Sequence, residues 1–162
     1  MIQNVEIFIG IAHIAGIFVG FEALISATHQ KEVARIRGIV TVGLTTIIAS
    51  LIPVGLGIYG FSDHSLWFLS SLIYLCLDWT VIILSLRMSE NRELLKTQTK
   101  TKPVSAILFW IIFEVPLQLP LILAIIGLFP DLEQAFYITA LLFNLFSAAY
   151  VLSQIVYTKA DQ

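Results

Sequence analysis

The chain has 162 residues, 58% of them hydrophobic and only 12% charged, with a mean hydropathy of +0.92. A soluble domain carries about twice that share of charge, so this composition excludes an ordinary globular protein and points to one that spends its length in lipid. A net charge of −2 speaks against a nucleic-acid partner, and the single cysteine, Cys76, cannot form an intramolecular disulfide.

A helix needs about 20 apolar residues to cross the hydrocarbon core. The stretches 3–27, 38–60, 65–87, 103–129 and 135–157 meet that requirement. They do not alternate polar with apolar residues as barrel strands do, and a lipid-facing backbone must satisfy its own hydrogen bonds. The expected fold class is all-α: a polytopic bundle of five transmembrane helices in a single domain, 1–162. The connections between them are too short to bury a core of their own.

The first span begins MIQNVEIF, with no basic region ahead of the apolar run, so it reads as a retained helix and not a cleaved signal. It carries His13, Glu22 and the pair Gly16 and Gly20, a GxxxG spacing that admits a second helix, in this chain or another, at close range. The second span holds Gly43, Thr46, Ser50, Pro53 and Gly57 at 3–4–3–4 spacing. That narrow stripe suits helix contact or a pore wall, and Pro53 predicts a kink.

In the third span Ser71, Tyr74 and Asp78 share a face, with Ser85 further along it. Trp110, Glu114 and Gln118 repeat every four residues in the fourth span. There Pro116 and Pro120 each remove a backbone donor, which predicts a kink beside Glu114 and unpaired carbonyls at Ile112 and Pro116. The fifth span carries Asn144, Ser147, Tyr150 and Gln154. Trp67, Tyr59, Tyr137 and Tyr157 fall near span ends, where amphipathic rings favour the membrane interface; Trp79 and Trp110 lie deeper and are expected to pack inside the bundle.

The connections differ sharply in charge. Lys31, Arg35 and Arg37 lie in the first, Arg92, Lys96, Lys100 and Lys102 in the third, Arg87 at its edge, and Lys159 in the tail; the others hold no lysine or arginine. With five spans these basic regions share one side, which the positive-inside rule makes the cytoplasm, placing the N-terminus outside and the C-terminus inside.

Ionisable groups within lipid are costly and usually face protein or water. At about 1.5 Å of rise per residue, His13, Asp78, Glu114 and Asn144 reach a common depth within about 8 Å. Glu22 lies nearer the cytoplasmic end, within reach of Arg35. Asp78 and Glu114 have no lysine or arginine at their level, so they are either protonated or face water and cations. The polar-core candidates are thus His13, Asp78, Glu114, Gln118, Asn144 and Glu22, with Gly16 and Gly20 for packing and Pro53, Pro116 and Pro120 for kinks. Interhelical hydrogen bonds from Ser, Thr, Asn and Gln are also common structural glue, and neutral, hydrogen-bonded acids would serve the same purpose.

The run Ala15-Gly16-Ile17-Phe18-Val19-Gly20-Phe21-Glu22-Ala23-Leu24-Ile25 resembles a family of uncharacterised small bacterial multi-pass membrane proteins, whose first helix carries Gly-Phe-x-Gly/Ala-Leu-Val/Ile. The stretches 121–129 and 137–157 are similar in pattern. The resemblance covers about a third of the chain and implies the bacterial inner membrane. Members often carry a small residue where this chain has Glu22, and no activity is implied.

No HExxH, GxSxG, phosphate-binding loop or dinucleotide fingerprint occurs, and no lysine lies within a span to hold retinal. The expectation is therefore no enzyme, catalytic residue, metal or cofactor. It is a channel or transporter subunit in the lipid bilayer, a homo-oligomer, moving protons, cations or a small solute. The alternative is a structural or accessory subunit of a larger membrane complex, docking through the basic 88–102 loop.

Overall fold

A computed structural model describes residues 5–28, 33–87 and 110–160. The side chains of 22, 25–28, 33–39, 85–87, 110, 151 and 154–160 lie outside that description, as do the 88–102 loop and residues 103–109 of the expected fourth span.

The described residues are helical and contain no strand. The helices are α1 (Val5–Thr28), α2 (Val33–Ile58), α3 (Asp63–Arg87), α4 (Val115–Ile126) and α5 (Glu133–Ala160). A π-helical turn over Trp110–Glu114 leads into α4, and a short 3-10 turn over Pro130–Leu132 leads into α5. Within them Val40–Ile58, Asp63–Leu84 and Pro130–Tyr150 are long and apolar enough to cross a membrane; Val5–Phe21 and Ile111–Ile126 are shorter apolar helices.

The helix ends follow local chemistry. Gly127 closes α4 in the left-handed conformation (φ 70°), its N–H donating to the Leu123 carbonyl at 3.1 Å. At the start of α3 the Ser62 carbonyl accepts from the Leu66 N–H and the Ser65 hydroxyl. Asp63 there adopts φ 51°, one of the few non-glycine side chains that tolerate this region.

Helix order in space is read from the contacts. The rings of Phe8, Trp67 and Tyr137 meet with centroids 6.0–6.2 Å apart, which puts the first turns of α1, α3 and α5 at one end. Consecutive helices therefore alternate in direction. α1 packs chiefly on α2 and α4 chiefly on α5; α2 also meets α3 and α5, and α3 bridges α2 and α4.

The α1–α2 contact is close because Gly43 lacks a side chain: a Cβ there would lie 2.5 Å from Val19 Cγ2. The small stripe of α2 faces inward over most of its length, with Gly43, Thr46, Ser50 and Pro53 buried and Gly57 partly so. Pro53 sits inside a helix that continues through it.

Trp67 and Tyr137, expected near span ends, pack between helices at the end of the bundle where α1, α3 and α5 begin. Trp67 is 8% exposed and Tyr137 fully buried, because the faces of α3 and α5 that carry them turn toward Phe8 of α1. Trp79, expected inside, is 47% exposed. Tyr59 is exposed beside the turn after α2, as a ring at an interface would be. The side chains of Trp110 and Tyr157 lie outside the description.

Candidate functional site

Near mid-length of the bundle a polar seam runs between α2, α3, α4 and α5. On the α2–α5 side it is fully bonded. Asn144 Nδ2 donates to Thr46 Oγ1 at 3.1 Å, and Thr46 Oγ1 donates to the Val42 carbonyl at 2.9 Å. Ser50 donates to the Thr46 carbonyl, and the Tyr137 hydroxyl donates to the Ala49 carbonyl at 2.7 Å. These groups hold the helices in register, so Asn144 acts here as structural glue.

On the α3–α4 side stand the carboxyls. Asp78 is 7% exposed and Glu114 partly buried. Gln118, one turn on from Glu114, donates its Nε2 to Glu114 Oε2 at 3.3 Å, and its amide also approaches the Asp78 carboxyl. The two acids are close enough to interact electrostatically, with Gln118 the polar group between them. No lysine or arginine occurs anywhere in 38–86 or 103–158, so nothing in these segments offers a positive charge at this depth.

The backbone around Glu114 is irregular for an identifiable reason. Pro116 has no N–H to give the Ile112 carbonyl, and the chain accommodates this with the π-helical turn that ends at Glu114. The helix type thus changes ahead of Pro116, while Pro120 lies within α4. Such turns recur at functional sites. Beside it a shallow groove of about 170 Å3, lined by Trp79, Ile111, Glu114, Val115 and Gln118, opens on the outside of the bundle.

Of the residues singled out from sequence, the structure brings together Asp78, Glu114 and Gln118, with Asn144 across the seam. It does not bring His13 to them. His13 is exposed on the face of α1 turned away from the core, and Gly16 and Gly20 share that face. A Cβ on either glycine would meet nothing within 4 Å, so the GxxxG spacing is not used by any described helix of this chain. The Glu22 side chain lies outside the description. No three His, Cys, Asp or Glu side chains converge on a metal-sized space among the described residues.

Sequence reasoning missed a second cluster, at the end where α1, α3 and α5 begin. His64 Nδ1 contacts Glu133 Oε1 at 2.5 Å; Glu133 is 1% exposed while His64 is half-exposed. Gly127 makes room for the imidazole, since a Cβ there would come within 2.7 Å of His64 Cε1. The signal available was the isolated Glu133 at the start of an apolar helix.

No family model matches the chain, and no curated protein or solved structure matches it with statistical significance.

Proposed function

We propose that the protein is a five-span integral membrane protein of the bacterial inner membrane, a homo-oligomeric channel or transporter subunit in which the Asp78–Glu114 pair takes up protons or cations in transit. The observation that carries this reading is the pair itself: the buried Asp78 carboxyl and the Glu114 carboxyl bonded by Gln118, mid-way along apolar helices, with no basic residue in the segments around them. Each ionised acid at such a depth costs about 2.5–3.5 kcal/mol on insertion scales. A proton or a cation removes that cost, and a site that must hold one is a site that can pass it on.

The five-span arrangement is supported by the alternating helix directions and by charge. The end bearing Phe8, His64, Trp67 and Tyr137 has Glu6, Asp63, Asp131 and Glu133 close by in sequence and no lysine or arginine, while every basic residue belongs to the opposite connections and the tail. The positive-inside rule then puts the N-terminus outside and the C-terminus in the cytoplasm. The unused face of α1, with His13, Gly16 and Gly20, is where a second copy would pack. Five helices of this length enclose little space alone, so a permeation route between protomers fits the groove that opens beside Glu114.

The experiment is flux of protons and monovalent cations in proteoliposomes. Wild-type protein conducts or exchanges one of them, and Asp78→Asn or Glu114→Gln lowers the rate at least about tenfold, the effect of losing about 1.4 kcal/mol of ion stabilisation, with helix content unchanged. A wild-type rate equal to that of empty liposomes contradicts the proposal. The apolar groove with half-exposed Trp79 also favours the alternative, an accessory subunit covered there by a larger complex. That reading predicts no flux and co-purification with one fixed partner.

A further inference from the structure

Hydroxyl groups in this bundle behave in two distinct ways. Thr45, Thr46, Ser50 and Thr80 each donate to the carbonyl four residues back in their own helix, at 2.7–2.9 Å. Ser70 and Ser71 have the same option, through the Leu66 and Trp67 carbonyls, and do not take it. Their Oγ atoms, the Tyr74 hydroxyl and Asp78 Oδ2 are all buried and make no hydrogen bond of good geometry to protein, although the Asn144 side chain approaches the Tyr74 hydroxyl. Ser70, Ser71 and Tyr74 are 0% exposed and Asp78 is 7% exposed.

The residues that carry these atoms share one face of α3, at positions 70/71, 74 and 78, from the carboxyl pair to one turn short of Trp67. Leaving a buried polar atom unsatisfied costs more than an ordinary hydrogen bond contributes, and native proteins keep such atoms few. Buried water resolves exactly this kind of deficit, by bonding several otherwise unpaired groups at once. The spacing fits: four helical residues rise about 6 Å, and two hydrogen bonds of about 2.8 Å through one water span nearly the same distance.

We infer that a file of ordered water runs along α3 through Ser70, Ser71, Tyr74 and Asp78 and carries protons between the carboxyl pair and the end of the bundle where α3 begins. The file runs up to the ring cluster of Phe8, Trp67 and Tyr137, at the end of the bundle that also holds the His64–Glu133 contact. In exchange with bulk, one deuteron enters at that end for each proton that leaves the Asp78 carboxyl, so charge and atoms balance at every step. The inference takes its purpose from the proposed proton or cation handling, but its test needs no transport.

The protein is reconstituted in lipid nanodiscs at a pH acid enough to protonate Asp78, moved to D2O, and the carboxyl C=O band followed by infrared spectroscopy; the band is assigned by its loss in Asp78→Asn. Tyr74→Phe and the double variant Ser70→Ala with Ser71→Ala are each expected to slow exchange at Asp78 about tenfold, the factor one hydrogen bond is worth, with helix content and thermal midpoint unchanged. Thr46→Val, which removes a hydroxyl already bonded to protein, is expected to lower the thermal midpoint and leave exchange at the wild-type rate. If the double variant does not reconstitute, Tyr74→Phe decides alone. Wild-type exchange rates in folded Tyr74→Phe overturn the file. Slowed exchange together with flux that ignores Asp78→Asn keeps the file and removes the transport function.

Discussion

Glu133 is the most deeply buried carboxyl among the described residues, and the half-exposed His64, sixty-nine positions earlier, reaches it with Nδ1 at 2.5 Å. The contact ties the first turn of α3 to the first turn of α5, and Gly127 at the end of α4 supplies the space for the ring. Removing the imidazole leaves a buried carboxylate without this partner. His64→Ala is therefore expected to cost about 1.5–3 kcal/mol, the range for a hydrogen bond to a charged group, and Glu133→Gln distinctly less, because the amide carries no charge to strand. Chemical denaturation in detergent micelles reads both; equal losses for the two variants would mean that charge plays no part in the contact.

The two left-handed glycines separate backbone strain from packing. Gly60 has φ 89° with open space where a Cβ would sit, so Gly60→Ala is expected to cost only the backbone term, about 1–2 kcal/mol. Gly127→Ala carries the same term and also drives a methyl group into the His64 ring. Its loss is expected to exceed that of Gly60→Ala, and the excess to vanish when His64 is already Ala. A double-mutant cycle measures this directly.

Gly43 and the α1 glycines make a second contrast. Gly43→Ala forces a methyl group against Val19 and is expected to cost about 1–3 kcal/mol, with recovery in the pair Gly43→Ala and Val19→Ala. At Gly16 and Gly20 an added Cβ meets nothing in the chain, so Gly16→Leu and Gly20→Leu are expected to leave the stability of the isolated protomer unchanged while weakening its self-association, as followed by energy transfer between labelled copies in liposomes. Unchanged association would show that copies meet elsewhere.

The Asn144–Thr46 bond is a structural test of the seam. Asn144→Leu with Thr46→Val, taken as a cycle, is expected to give a coupling near 0.6 and at most about 1.7 kcal/mol, as for other hydrogen bonds between membrane helices.

Much of this architecture is legible in the residues. The hydropathy of the apolar stretches locates the helices, because lipid permits few other structures. The inward face of α2 follows from Gly43, Thr46, Ser50 and Pro53 at helical spacing, and the α3 row from Ser71, Tyr74 and Asp78. Rotation about a helix axis is harder. His13, expected at the level of Asp78, faces outward, because Phe8, Ile11 and Ala15 take the buried side of α1. Trp67 and Trp79 exchange their expected surroundings for the same reason: depth along a helix says nothing of which neighbour a ring meets. The His64–Glu133 contact joins two helix starts distant in sequence, and the isolated Glu133 ahead of an apolar run does not say which residue it meets.

The central claim is that protons or cations reach the Asp78–Glu114 pair inside a folded, membrane-embedded protein. Infrared titration of the two carboxyl bands in nanodiscs tests it most directly, with Asp78→Asn and Glu114→Gln assigning the bands. At least one band is expected to appear or disappear with pH, or with added monovalent cation, over a range where the helix signal stays constant, and removal of either acid to alter the titration of the other. Both carboxyls fixed in one state throughout that range, each indifferent to its partner's removal, would contradict it.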